Sequence, residues 1–142
     1  MVLTTVDFPR VDTSSDTNVM VQNGTLSITA RNESLSGEYT SARLVTRGLQ
    51  SFLYGRIQFR ANLSRCKANG VWAALWMLPE TNEYGIWPNS GEMDVMESVG
   101  HETDIFHGTV HTGAYNHQSN TQRGASVAVS KDEWHVFEID WG

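Results

Sequence analysis

The sequence predicts an all-β fold, a sandwich or jelly roll, on three observations. Short runs of alternating or β-branched residues recur along the chain, turn-forming residues separate them, and no stretch carries the apolar period of an amphipathic helix. Many short strands with turns between them fold as two packed layers. At 142 residues the chain is one domain at most, long enough to bury a real core.

Residues 1–17 are polar, rich in Thr, Ser and Asp, and include Pro9, so they read as a loop or lead-in. Val19–Val21 and Leu26–Ala30 flank Asn23-Gly24, a strong hairpin signal because a type I′ turn needs φ > 0 at both central positions. Ala42–Thr46 is the next strand-like run. Arg56–Leu63 alternates most cleanly, with Ile57, Phe59, Ala61 and Leu63 on the core face. Gly70–Pro79 is ambiguous by period, since Trp72 and Trp76 share a face in a helix or a strand. Its length and its Gly and Pro bounds favour a strand. A loop follows from Glu80 to Ser90, then an acidic strand, Gly108–Thr112, a polar loop from Gly113 to Gly124, Ala125–Val129 and Val136–Trp141. There is no internal repeat.

A hydrophobic fraction of 39% and mean hydropathy of −0.35 indicate a globular chain. No run approaches the length of a spanning helix, so no membrane partner is expected. The net charge of −6 argues against nucleic acid, whose backbone rewards clustered Lys and Arg. The first ten residues lack the basic and apolar regions of a signal peptide. The single cysteine, Cys66, excludes an internal disulfide and a cysteine-based zinc site, and reads as a lone structural or surface cysteine rather than a reactive thiol. Asn23-Gly-Thr, Asn32-Glu-Ser and Asn62-Leu-Ser are glycosylation triplets, which matter only in a secreted chain.

The chemistry concentrates in Gly91-Glu92-Met93-Asp94-Val95-Met96-Glu97-Ser98. On a strand Glu92 and Asp94 share a face, while Glu97 falls on the other. One extra residue at Val95 or Met96, taken up as a β-bulge, returns Glu97 to the carboxylate face. Gathering three acids is costly, because like charges raise one another's pKa. A retaining glycosidase uses such a pair: one carboxylate attacks the anomeric carbon and one carboxyl protonates the leaving oxygen, about 5–5.5 Å away. A solvated acidic strand and a calcium cluster are the alternatives.

Trp72, Trp76 and Trp87 lie shortly upstream of Glu92. Indole faces stack on sugar rings, and a Trp-lined groove beside paired acids suits a polysaccharide; ordinary core is the other reading. His107 and His111, with Glu97, raise a zinc alternative, but Gly-Thr-Val between them is poor helix-forming sequence and no further ligand is evident. A hydrogen-bond donor near the nucleophile or a structural histidine fits better, so no metal site is expected. Serine-hydrolase, P-loop and dinucleotide motifs are absent.

These residues resemble glycoside hydrolase family 16. The resemblance rests on Tyr39–Leu44, Tyr54-Gly55-Arg56, Gly70–Pro79 and Ser90–Glu97 in that order, on His111–His117 and Thr121-Gln122, and on Trp134–Trp141. The E-x-D-x-x-E spacing is similar to that of the laminarinase branch, the endo-1,3-β-glucanases. The resemblance runs from about Asn18 to the last residue. It implies a concanavalin-like β-jelly roll and an endo-acting retaining hydrolase cleaving laminarin-like β-1,3-glucan by double displacement. Glu92 would be the nucleophile, Glu97 the general acid/base, and Asp94 the group between them tuning charge. Arg43, Trp72, Trp76, Trp87, His111 and Tyr115 would line the sugar subsites.

Family members usually begin before Asn18 and continue past Trp141. The domain, 18–142, is therefore expected to be incomplete at both ends, with exposed sheet edges that favour association. Catalysis needs no cofactor; a structural calcium is held in part by strands beyond Trp141 and is doubtful here. The polymeric substrate implies an extracellular or secreted site of action. The rivals are a β-glucan-binding protein or inactive fragment on the same fold, and a cation-dependent structural domain.

Overall fold

The structure is a computed structural model and describes residues 2–6, 10–33 and 38–142. It is all-β apart from one short 3-10 turn at His117–Ser119. Thirteen strands occur among the described residues: β1 Val2–Val6, β2 Arg10–Asp12, β3 Val19–Gln22, β4 Thr25–Ile28, β5 Arg31–Glu33, β6 Glu38–Ser41, β7 Leu44–Val45, β8 Gly55–Asn62, β9 Val71–Met77, β10 Glu92–Val99, β11 Ile105–His111, β12 Arg123–Ala128 and β13 Trp134–Trp141. An antiparallel six-stranded sheet in the order β12-β11-β10-β9-β1-β7 forms one layer. The antiparallel β8–β13 ribbon packs behind it, and β2-β6-β5 and the β3–β4 hairpin are the remaining sheets among the described residues.

The hairpin turns at Asn23 (φ 51°) and Gly24 (φ 72°), the two positive angles its Asn-Gly pair favours. Ile57, Phe59 and Ala61 of β8 face inward in register with Ile139, Phe137 and His135 of β13, while Gln58 pairs outward with Glu138. Leu63, Ala73, Met96 and Phe106 form the core between the layers, joined by Leu75, Cys66 and Phe137. Phe106 meets Phe137 edge to face at 5.0 Å. Burying a side chain such as Met96 or Phe106 contributes about 1.5–3 kcal/mol. Burial pushes the Cys66 thiol up, consistent with a packing role.

Several boundaries differ from the sequence expectations, and β12 begins at Arg123 rather than Ala125. Residues 1–17, expected as a loop, contain β1 and β2: β1 fills the gap between β9 and β7, and β2 runs parallel to β6. The run Ala42–Thr46 yields only the two-residue β7, because Ala42 and Arg43 separate it from β6. Strand β11 begins three residues earlier than Gly108, since Ile105 and Phe106 pair with Ala128 and Val127. Strand β13 begins at Trp134.

Candidate active site

Strand β10 carries the three acids, and its register with both neighbours slips by one residue between Asp94 and Glu97. Asp94 stands opposite Trp76 and Met96 opposite Leu75 on β9, so Val95 is the inserted residue. On β11 the partners are His111 for Glu92, Thr109 for Asp94 and His107 for Glu97. The bulge therefore puts Glu92, Asp94 and Glu97 on one face and sends Met96 into the core. Gly91, at φ 87°, turns the chain into β10 in a conformation that favours glycine.

The neighbouring strands clothe the acids with donors. The Trp72 indole N–H donates to Glu97 Oε1 at 3.0 Å and the Thr109 hydroxyl reaches Glu97 Oε2 at 3.4 Å. His111 Nε2 lies 3.2 Å from Asp94 Oδ2, both side chains almost wholly buried, yet Asp94 Oδ2 has no aligned hydrogen bond. Ligand atoms of Glu92, Asp94 and His111 all lie within 4.8 Å of one another. Trp87 lies over His117 at 4.6 Å and near His111 at 5.8 Å. Its Nε1 lacks a well-aligned acceptor, but the N–H still favours an ionised Glu92.

Burial raises Asp94 to about 8, with the charges of Glu92 and Glu97 pushing the same way. At neutral pH Asp94 is therefore protonated and donates to Glu92. Burial also raises Glu92, against the pull of the Asp94 and Trp87 hydrogen bonds, while Glu97 adds a further upward push. His111 is lowered by its own burial and then by His117, so its imidazole is neutral near pH 7.

Among the residues singled out from sequence, the three acids, Trp72, Trp76, Trp87 and His111 come together. Arg43 joins through Trp76, its guanidinium 4.7 Å from the ring. Tyr115 lies under the Arg123 guanidinium at 4.5 Å, and no described contact joins it to the acids. His107 hydrogen-bonds Glu102 rather than joining His111 at a zinc site. Two neighbours were not singled out as site residues, although His117 closes the matching His111–His117 stretch. Thr109 becomes visible only through the β10–β11 register, and His117 through a loop. In that loop the buried Asn116 donates to the Thr112 and Gly113 carbonyls and caps the 3-10 turn.

A cavity of about 620 Å³, lined by Arg43, Phe52, Met77, Glu92, His111 and Trp141 among others, adjoins the Glu92 end of β10. Glu92, Asp94 and His111 form the one cluster of three or more Asp, Glu, His or Cys ligands among the described residues. Its imidazole nitrogen suits calcium poorly, since calcium takes six to eight oxygens.

The model of glycosyl hydrolases family 16 matches residues 9–142. The chain is 51% identical over 129 residues to a beta-glucanase of Rhodothermus marinus, covering 87% of this chain and 44% of that protein. It is 37% identical over 113 residues to a beta-1,3-glucan-binding protein of Penaeus monodon, covering 72% of this chain and 30% of that one. The crystal structure of the laminarinase from Rhodothermus marinus superposes with a TM-score of 0.85 at 49% identity, over 91% of this chain and 53% of that one. The chain thus spans about half the length of the Rhodothermus matches, and less of the Penaeus protein. With the family's pattern matched along nearly all of its length and its fold matched at this identity, the chain belongs to glycosyl hydrolases family 16.

Proposed function

We propose that this chain carries the catalytic face of an endo-acting retaining glycoside hydrolase that cleaves laminarin-like β-1,3-glucan. The observation that carries the reading is the one-residue bulge at Val95, which gathers Glu92, Asp94 and Glu97 on one face. In the first step Glu92 attacks the anomeric carbon while Glu97 protonates the departing glycosidic oxygen. In the second, Glu97 takes a proton from a water that attacks the anomeric carbon, whose bond to the water oxygen forms as its bond to Glu92 breaks. The protonated Asp94 donates to Glu92, holding the nucleophile in place and spreading its charge.

Trp72, Trp76 and Trp87 present indole surface to the sugar rings, with Arg43, His111 and Tyr115 as further subsite groups. The reaction needs no metal or cofactor, and calcium is given no step. A polymer is met outside cells, so an extracellular site of action fits; no helix of the described residues is long and apolar enough to cross a membrane. Strand β12, an edge exposed along its length, is where association with another chain would occur.

The second reading, a glucan-binding protein without catalysis, is favoured by the Penaeus relative. Reducing-end release from laminarin, beside binding to the same polymer, separates the two. Release that is abolished in Glu92→Gln and Glu97→Gln supports the hydrolase; binding without release by the unmutated chain supports the lectin-like reading and overturns the first.

A further inference from the structure

The β10–β11 register builds something besides a nucleophile. Opposite Glu92 stands His111, and between them Asp94 turns toward the same imidazole. Asp94 and His111 are each only 6% exposed, and both Asp94 Oδ2 and His111 Nδ1 lack a hydrogen-bond partner. Asp94 Oδ2 stands 3.2 Å from the other ring nitrogen, His111 Nε2, without an aligned hydrogen bond, an uncommon arrangement for buried polar atoms. It is, however, the separation of two ligands on a tetrahedral zinc ion: with bonds of about 2.0–2.1 Å, neighbouring ligand atoms lie about 3.3 Å apart. The Glu92 carboxylate completes a trio whose ligand atoms all fall within 4.8 Å.

We infer that Glu92, Asp94 and His111 form a binding site for one borderline divalent transition ion, with Zn2+ as its probe, and that occupation blocks hydrolysis. One imidazole and two carboxylates select zinc over the hard, oxygen-seeking magnesium and calcium. Three protein ligands leave a fourth position open to water. The ion takes the nucleophile's own carboxylate and that of its hydrogen-bond partner Asp94. It spares Glu97, which is held by Trp72 and Thr109. Binding stands on these residues alone; the inhibition rests on the reading of Glu92 as nucleophile.

The test is a calorimetric titration of the full chain with zinc chloride, paired with zinc-edge X-ray absorption on the unmutated complex. Expected are one ion per chain and a shell with one imidazole and two carboxylates at about 2.0–2.2 Å. Binding should weaken about tenfold or more in His111→Gln and Glu92→Gln and persist in Glu97→Gln. Equimolar zinc should abolish laminarin hydrolysis, and EDTA should restore it. The absorption measurement needs no variant, so a misfolded mutant does not decide the outcome. No binding, a shell lacking imidazole, or equal affinity in all variants overturns the site. Zinc bound there with undiminished hydrolysis overturns the inhibition. A chain that binds zinc as described but releases no sugar even when metal-free leaves the site supported and overturns the hydrolase reading instead.

Discussion

The Trp72 indole N–H donates to Glu97 Oε1 at 3.0 Å, so β9 fixes the side chain that the β10 bulge delivers. Trp72→Phe removes that donor and leaves a phenyl ring in place of the indole. A hydrogen bond contributes about 0.5–1.5 kcal/mol net. Loss of the donor is therefore expected to lower kcat about two- to tenfold, and the smaller ring to raise KM. Steady-state kinetics on laminarin checks this, and an unchanged kcat would contradict it.

Deleting Val95 shortens the motif to E-x-D-x-E, which a regular strand holds on one face, with Met96 still opposite Leu75 and Glu97 opposite Ala74. Reducing-end release should survive that deletion. Deleting Val95 and Met96 together instead turns Glu97 toward the core, so release should vanish and the melting temperature should fall as a carboxylate takes the place of Met96 beside Phe106 and Leu63. A folded double-deletion variant that still releases reducing ends would contradict the role given to the bulge.

Asp94 gives the site a stability cost that depends on pH. Its ordinary value is 3.8, and burial beside Glu92 and Glu97 raises it to about 8 in the fold. Between these values the native state holds a proton that the unfolded chain releases, so stability is lost as pH rises through about 8. Asp94→Asn removes that dependence. The melting temperature of the variant minus that of the wild type should grow as pH rises from about 4 to about 8; parallel curves would contradict the assignment.

Lys131 is the largest fully buried side chain among the described residues. Its ammonium donates to the carbonyls of Val99 (3.0 Å) and Glu102 (2.7 Å), pinning the turn between β10 and β11. Lys131→Ala strands two buried carbonyls and opens a void beside Phe106. A loss of about 2–4 kcal/mol is expected in denaturant unfolding. A loss under about 1 kcal/mol would show that water replaces the ammonium.

The acids were legible because a period-two element cannot hold E-x-D-x-x-E on one face without an insertion. The spacing alone predicted a bulge at Val95 or Met96, and Val95 is the residue inserted. The Asn23-Gly24 turn was equally local. Strand β1 was not, because its partners Trp76 to Val71 lie some seventy residues away and nothing near Val2–Val6 signals them. The same blindness hid Thr109 and His117, which reach the site through register and through a loop tied together by Asn116. Tyr115, taken from a matching motif, stacks under Arg123, a partner that no local pattern signals.

The stereochemistry of the first product tests the central claim most directly. Proton NMR of a laminari-oligosaccharide mixed with the chain reads the anomer before mutarotation scrambles it. Two carboxyls about 5–5.5 Å apart, acting in succession, deliver the β-anomer, the configuration of the bond that was cut. Initial appearance of the α-anomer would mean a single displacement by water, and Glu92 would not be the nucleophile.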